Sequence, residues 1–183
     1  MLLALTPHPD TPPEAIAAVE AEVARDPSGK LGLRYVVRGD TRRLLRLPVQ
    51  PQGRADDLWK HTCFEAFVQR TDGAGYYEFN LSPSTRWAAY GFGAYRSGMG
   101  RADEAGLLDL VQQDRGDYEL TASLDLSGLP GLDAEAPWRV ALTAVIEETG
   151  GRKSYWSLAH APGKPDFHHP DAFAHGLPAA EHP

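Results

Sequence analysis

The chain has 183 residues, of which 42% are hydrophobic and 23% charged, as in an ordinary globular domain. Its formal net charge is −7 and it has no cluster of Lys and Arg, which argues against a nucleic-acid partner, because binding to a phosphate backbone depends on grouped cations. The single cysteine, Cys63, excludes an internal disulfide and a zinc site built from several cysteines.

The sequence begins with MLLALTPHPDTPP, which has no basic region and only five apolar residues at its start. A stretch this short is typical of neither a signal peptide nor a membrane span. We therefore expect a soluble, cytoplasmic protein without a membrane partner.

The first half of the chain predicts two groups of strands. TPPEAIAAVEAEVAR (11–25) has the Thr-Pro start of a helix and then alternates with period two, which predicts a short helical turn followed by a strand. LGLRYVVRG (31–39) and RRLLRLPV (42–49) flank the turn sequence GDT and predict a β-hairpin. Three later runs predict a meander, namely CFEAFVQR, YYEFNLS and TRWAAYGF.

The second half predicts two more antiparallel pairs and then an irregular end. LLDLVQQ pairs with YELTASLDL, and WRVALTAVIEE (138–148) pairs with KSYWSLA (153–159). Residues 162–183 are rich in His and Pro and lack periodicity, so we expect an irregular C-terminal segment. About nine to ten short strands with little helix predict one all-β domain over residues 1–183, an antiparallel β-sandwich of jelly-roll or immunoglobulin-like type.

Alternation along the predicted meander divides its side chains between two faces. Phe64 and Ala66 belong to the apolar face, and Glu65 to the opposite one. If the strands pair in order, Glu65 shares its face with the following residues: Tyr76, Glu78, Asn80, Arg86 and Tyr90. Such a face meets solvent in many sheets, or it binds a ligand whose hydroxyls it hydrogen-bonds and whose apolar faces its rings cover. Two close carboxylates are also suited to glycoside hydrolysis or to binding a divalent cation.

The C-terminal stretch HAPGKPDFHHP contains several side chains suited to metal binding or to general-base chemistry. They are His160, Asp166, His168 and His169, with His175 and His182 beyond the stretch. Their spacing matches no metal motif. The alternatives are a metal-dependent enzyme that uses Asp166, His168 and His169, and a partly ordered segment whose histidines are solvated or act as caps. In the second case, Phe167 anchors the KPDF turn on the sheet.

Two residues outside this stretch have alternative interpretations. Cys63 is a small buried side chain in a strand, or a nucleophile beside His61. Met99, in the loop RSGMG (96–100), is a hydrophobic plug or an axial haem ligand.

The Trp59–x5–Glu65 spacing in LWKHTCFEAFV, followed by YYEFNLSPSTRWAAYGF and SYWSLAHAPGKPDFHHPDAF, resembles the DOMON-like superfamily, in particular its branch similar to carbohydrate-binding module family 9. The resemblance extends over about residues 31–175 and implies a β-sandwich binding domain. In the sugar-binding family, two tryptophans stack on a sugar ring while Glu and Arg hold its hydroxyls. The resemblance thus implies stacking by Trp59 and Trp156, and hydrogen bonding by Glu65 and Arg86. Haem-binding relatives use Met with His or Lys, which would be Met99 with His160, His168 or Lys153.

These patterns together favour a non-catalytic protein that binds a small molecule, in particular a carbohydrate or sugar derivative, on the sheet face around Glu65. The expected ligand contacts are stacking by Trp59 and Trp156, and hydrogen bonds from Glu65, Glu78, Asn80 and Arg86. This interpretation requires no cofactor. A b-type haem-binding domain and the metal-dependent enzyme are the alternatives, and the sequence does not specify an oligomeric state.

Overall fold

The computed structural model describes residues 1–180 and is all-β with almost no helix. Within these residues, helical structure consists of 3-10 turns at Thr41–Arg43, Leu58–Lys60 and Pro170–Ala172. The strands of this part of the chain are β1 (Leu3–Pro7), β2 (Ile16–Arg25), β3 (Lys30–Gly39), β4 (Gly53–Arg54), β5 (Cys63–Arg70), β6 (Tyr76–Leu81), β7 (Arg86–Phe92), β8 (Gly100–Arg101), β9 (Gly106–Asp114), β10 (Tyr118–Asp125), β11 (Trp138–Glu147), β12 (Lys153–Ser157) and β13 (His175–Leu177). The strands exceed the nine to ten that we predicted, because β1 and the very short β4, β8 and β13 have no recognisable alternation.

The strands form one curled, mixed sheet. Eleven of them follow the order β4-β7-β6-β5-β11-β12-β1-β2-β3-β10-β9, while β13 pairs with β11 and β8 with β7. The pairs are antiparallel except for β4 with β7, which is parallel. The sheet curls into a half-barrel, so that the hydroxyl of Tyr35 on β3 donates a hydrogen bond of 2.7 Å to the carbonyl of Glu65 on β5. The expected jelly-roll or immunoglobulin-like sandwich is not confirmed.

The main core lies on the concave side of the curl. Strand β3 contributes alternate residues to it, such as Leu33 and Tyr35, and β10 has the same regular alternation of buried and half-buried positions. Strand β5, by contrast, is buried on both faces over most of its length. Its second face packs in a smaller apolar cluster with Leu58, Phe167 and Phe173. The polar face predicted around Glu65 is therefore partly covered by the chain itself.

Two predicted elements of the first half are wrong. The chain has no helical turn between residues 11 and 15; β2 begins directly at Ile16. The segment 42–49 is not a strand, and β3 pairs with β2 and β10 instead. After the 3-10 turn, this segment forms only an isolated bridge between Leu44 and Glu148. Pro48 lacks the N–H that a longer ladder requires.

Strand β11 organises the C-terminal part of the molecule. One half of its edge, Thr143–Glu147, pairs with β12, and the other half, Trp138–Val140, pairs with β13. Residues 158–174 connect these two strands and lie against the second face of β5, where Phe167 and Phe173 are buried. The expected irregular segment thus contains a 3-10 turn and a strand; His182 lies outside the described residues. No helix within residues 1–180 is long and apolar enough to cross a membrane.

Candidate ligand-binding pocket

A pocket of about 580 Å³ opens on the second face of the sheet, between β5–β7 and the segment 158–174. Sheet strands contribute Glu65, Glu78, Tyr90, Phe92, Val145 and Tyr155 to its lining. Connecting segments contribute Asp56, Asp57, Trp59, Arg96, Met99, Pro165, Phe167 and His168. The pocket therefore combines a strand-borne floor with walls from three separate loops.

Local backbone geometry places Trp59 at the mouth of the pocket. Asp57 adopts the left-handed conformation (φ 63°), which non-glycine residues adopt rarely, and starts the 3-10 turn Leu58–Lys60. Within that turn, Leu58 is buried in the second apolar cluster, while the neighbouring Trp59 stays 50% exposed. Burial of Leu58 thus anchors the turn, and the indole of Trp59 remains accessible at the pocket.

Glu65 is the most unusual group in the pocket, because it is only 3% exposed and incompletely hydrogen-bonded. Its Oε2 accepts a long hydrogen bond of 3.5 Å from the hydroxyl of Thr143 on β11. Its Oε1 is buried and has no hydrogen-bond partner in the structure. Burial, and after it the charge of Glu78, raises the pKa of the Glu65 carboxyl well above its ordinary value.

Glu78 lies beside Glu65 on the neighbouring strand. The register pairs Glu65 with Asn80 and Phe67 with Glu78, so the two glutamates are diagonal neighbours on one face. The Asn80 side-chain amide donates a 2.7 Å hydrogen bond to Glu78 Oε1. Burial raises the pKa of Glu78, although the bond from Asn80 and the charge of Arg96 oppose the rise.

His168 forms a wall of the pocket and is neutral near pH 7. Its Nδ1 lies 2.8 Å from the hydroxyl of Tyr76, which itself accepts the backbone N–H of Arg96, so the hydroxyl donates to Nδ1. Nε2 then carries the proton and lies 3.7 Å from Glu78 Oε2. Burial, followed by the charge of Arg96, lowers the pKa of His168 to about 4. The contact with Glu78 is therefore not an ion pair at neutral pH.

The guanidinium of Arg96 is already paired with Asp166. Its Nη2 lies 2.7 Å and its Nε 3.2 Å from Asp166 Oδ1, and the Tyr95 hydroxyl donates to the other carboxylate oxygen. Asp166 also accepts the backbone N–H of His168 at 3.1 Å. This clasp joins the loop that carries Arg96 and Met99 to the C-terminal wall.

Several residues predicted for the site do come together. Trp59, Glu65 and Glu78 line the pocket, and Asn80 is buried behind Glu78, to which it is hydrogen-bonded. Strands β5, β6 and β7 pair in order as the predicted meander. Within these strands, alternation alone was enough to bring the carboxyl groups together.

Two predicted site residues lie elsewhere. Arg86 belongs to the correct face of β7, but it is the first residue of that strand, and its guanidinium donates to the carbonyls of Pro51 and Arg54. Trp156 is 2% exposed in the main core, where its indole N–H donates to Ser154 Oγ at 2.8 Å. A shift of one residue along a strand reverses the face, so Tyr155 lines the pocket in its place. Tyr155 pairs with Val145, which also lines the pocket, so the register of the β11–β12 hairpin would have indicated the face of Tyr155.

The haem and metal alternatives find less support in the geometry. Met99 and His168 both line the pocket, but the ring nitrogens of His168 are next to Tyr76 and Glu78, which does not favour an axial pair. His160 bonds to the Thr6 carbonyl at 2.8 Å, and Lys153 donates to the carbonyl of Lys60.

Asp166, His168 and His169 do not converge on a metal position. Asp166 is engaged by Arg96 and His168 by Tyr76, while His169 Nδ1 accepts the backbone N–H of Asp171 at 3.2 Å and caps the last 3-10 turn. Among residues 1–180, no group of three or more His, Cys, Asp and Glu side chains is arranged to hold a metal ion.

Sequence reasoning missed the loop residues of the pocket. Asp56 and Arg96 had no recognisable motif, and Tyr155 on β12 was missed because its neighbour Trp156 was chosen. Phe167 was expected to anchor its turn and is indeed buried against the sheet. Cys63 is fully buried, and burial raises the pKa of its thiol well above the ordinary value, which does not suit a nucleophile.

Comparison with protein-family models finds no match, and neither does comparison with curated proteins. Among solved structures, the chain is similar to a protein from Bacteroides uniformis ATCC 8492 that is described as a "putative carbohydrate-binding protein". The TM-score is 0.67 at 16% sequence identity, and the similarity covers 94% of this chain and 82% of that chain. An identity this low shows a shared fold alone.

Proposed function

We propose that the chain binds a small carbohydrate or sugar derivative in this pocket, without chemical conversion. One observation carries the proposal. Among residues 1–180, Glu65 Oε1 is a buried side-chain oxygen without a hydrogen-bond partner, and Glu65 belongs to the lining of the pocket. A buried polar atom that lacks a hydrogen bond destabilises the fold by about 1–3 kcal/mol, so a ligand that supplies the bond gains a comparable free energy.

The surroundings of Glu65 suit a ring that carries hydroxyl groups. Glu78 offers a second carboxyl group next to Glu65, and two carboxyl groups can hydrogen-bond neighbouring hydroxyls. Trp59, Tyr155 and Phe167 provide apolar surfaces on which the C–H faces of a sugar can stack. The volume of about 580 Å³ lies within the range of about 300–1,000 Å³ that small-molecule sites occupy.

The solved structure with the shared fold gives independent but coarse support. Its description as a "putative carbohydrate-binding protein" concerns that protein, and the shared fold makes the same class of ligand a reasonable first choice for this chain. The resemblance of the Trp59–Glu65 spacing to the sugar-binding modules favours the same class.

Isothermal titration calorimetry against a panel of monosaccharides and oligosaccharides tests the proposal. We expect one-to-one binding of at least one sugar, with an affinity about ten- to hundred-fold lower in Glu65→Ala, because a hydrogen bond to a buried group is lost. Trp59→Ala should weaken binding through lost stacking. Glu104→Ala changes an exposed glutamate outside the pocket lining and serves as the matched control.

Two results would contradict the proposal: no sugar binds, or Glu65→Ala binds as well as the unmodified chain. A titration with haem runs in parallel. A Soret band that disappears in Met99→Ala would instead favour the haem alternative.

A further inference from the structure

The charges around the pocket are unbalanced toward acidic groups. Asp56, Asp57, Glu65 and Glu78 all contribute to the lining, whereas Arg96 is the one Lys or Arg side chain among the lining residues. Arg96 is neutralised by Asp166, and Asp57 by Lys60, whose Nζ lies 2.7 Å from Asp57 Oδ2. Within residues 1–180, three acidic side chains of the lining then form no ion pair with Lys or Arg, namely Asp56, Glu65 and Glu78.

The hydrogen bonds that these three carboxyl groups accept from the described residues come from neutral partners. Glu65 Oε2 accepts from the Thr143 hydroxyl, while Oε1 has no partner. Glu78 Oε1 accepts from the amide of Asn80, and Asp56 Oδ1 accepts from the hydroxyl of Tyr90 at 2.6 Å. The site therefore offers acceptor oxygens of acidic side chains, one of them a buried carboxyl oxygen without a hydrogen-bond partner.

Aromatic rings surround this acidic floor. Trp59, Tyr90, Phe92, Tyr155 and Phe167 all contribute to the pocket lining. The faces of such rings attract cations, and the attraction is stronger where water is excluded. Rings combined with carboxylates are the surroundings that proteins use to bind ammonium groups.

We propose that the ligand of this pocket carries a protonated amino group placed against the carboxyl groups of Glu65 and Glu78, so that the pocket selects amino sugars over the corresponding neutral sugars. This inference rests on the proposed function, because it specifies the ligand class of the same pocket. An ammonium group brings three N–H donors and one positive charge to a place that has acceptor oxygens and acidic groups without a bound cation. A hydroxyl group supplies one donor and no charge.

The inference includes a coupling between ligand and proton. In the empty pocket, burial and Glu78 raise the pKa of Glu65, so this carboxyl group retains its proton to higher pH than an exposed glutamate. An ammonium ligand favours the ionised form, and the carboxyl proton leaves to solvent when the ligand binds. A neutral sugar can accept a hydrogen bond from the protonated carboxyl group and releases no proton.

Several groups surround the Glu65 carboxyl group and influence its protonation. Glu78 lies on β6 and Cys63 on β5, and the Thr143 hydroxyl contacts Glu65 from β11. The hydroxyl of Tyr35 reaches the backbone carbonyl of Glu65 from β3. His168 and Arg96 face Glu78 from the connecting segments.

The experiment compares glucosamine, galactosamine and mannosamine with glucose, galactose and mannose by isothermal titration calorimetry, at a pH below the pKa of the ligand amine. We expect at least one amino sugar to bind about tenfold or more tightly than its neutral parent. Glu65→Gln keeps the shape of the side chain and removes the charge, so it should abolish this preference. Glu104→Gln, outside the pocket, should retain it.

Proton release gives a second readout. Titrations near neutral pH in buffers with different ionisation enthalpies should show release of up to one proton for each bound amino sugar, and none for glucose. The release should be absent in Glu65→Gln. Preference for the amino sugar without proton release would contradict the role assigned to Glu65.

The remaining outcomes separate this inference from the proposed function. If each neutral sugar binds as tightly as its amino counterpart, the amine inference is overturned and sugar binding stands. If cyclohexylamine binds as tightly as the amino sugars, recognition of the amine stands and sugar binding is overturned. If none of these compounds binds, both are overturned.

Discussion

Glu65 shows how a single buried side chain links stability to binding. Its carboxyl group is enclosed by β5, β6 and β11, yet one oxygen faces no protein donor. One nearby amide or hydroxyl donor would be enough to hydrogen-bond this oxygen, as the Asn80 amide does for Glu78 Oε1. The fold therefore retains an incompletely hydrogen-bonded carboxyl group in the lining of the pocket for which we propose a ligand.

This arrangement predicts a pH dependence of stability. The pKa of Glu65 is raised in the folded protein above its ordinary value of 4.5, so the folded state binds the carboxyl proton more tightly than the unfolded chain does. The stabilisation from this proton binding is complete below pH 4.5 and is lost as the pH rises through the folded pKa. Glu65→Gln does not titrate at this position. We expect the variant to gain free energy of unfolding relative to the unmodified chain as pH increases.

Urea denaturation of both chains over a series of pH values measures this difference. The neighbouring Glu78 titrates in both chains, so the difference between their unfolding free energies reports the titration of Glu65 together with its coupling to Glu78. A difference in unfolding free energy that does not change with pH would show that the carboxyl group is not perturbed.

At the scale of elements, the clasp between Arg96 and Asp166 determines how two loops meet at the pocket. Arg96 has a left-handed backbone conformation (φ 50°), and the turn that it forms brings its guanidinium to the C-terminal wall. The pair is partly exposed, so its contribution to the global free energy of unfolding is small. Its main effect is on the local order of the two loops.

We therefore expect Asp166→Ala to lower the global stability by about 1 kcal/mol or less, while hydrogen exchange accelerates in the loop 94–99 and in residues 163–169. Hydrogen-exchange mass spectrometry measures the local effect, and urea denaturation the global one. Asp72→Ala, which removes a similar exposed pair with Arg70, is the control and should leave exchange in these two loops unchanged. Equal exchange in both variants would show that the clasp does not order the loops.

The elements also show what local sequence patterns can predict. Strands β5, β6 and β7 alternate clearly and are joined by short turns, so their pairing and the grouping of Glu65, Glu78 and Asn80 followed from the sequence. The segment 42–49 is also apolar, but Pro48 and the competing strand β10 prevent the predicted pairing. Strands β4, β8 and β13 are too short for a period to be visible.

At the scale of the whole molecule, the curl of the sheet and the cover of the pocket depend on contacts between residues far apart in sequence. The pairing of β1 with β12 connects the two halves of the sheet, and the pairing of β3 with β10 attaches its last two strands. Neither pair is joined by a turn that could have indicated it. The same holds for Phe167 and His168, which cover a sheet face formed some 100 residues earlier. A pattern within one strand cannot show which distant loop covers it.

Global stability should distinguish the core tryptophan from the one in the pocket. Trp156 is buried in the main core, so Trp156→Ala should cost about 3–5 kcal/mol of unfolding free energy. Trp59 is half exposed, and Trp59→Ala should change stability by about 0.5 kcal/mol. Chemical denaturation measures both, and Trp156→Phe provides a milder variant if the alanine variant does not fold. Similar losses for the two alanine variants would contradict the opposite positions of these side chains.

The shared edge of β11 has a kinetic consequence. Because β12 and β13 hold both ends of residues 158–174 on one strand, the entropy of closing this loop is lost when the protein folds and not when a ligand arrives. The pocket wall formed by residues 158–174 is then preorganised, and binding of a ligand requires no loop closure. Differences in affinity among ligands should therefore appear in how long each one stays bound, with association rates nearly alike.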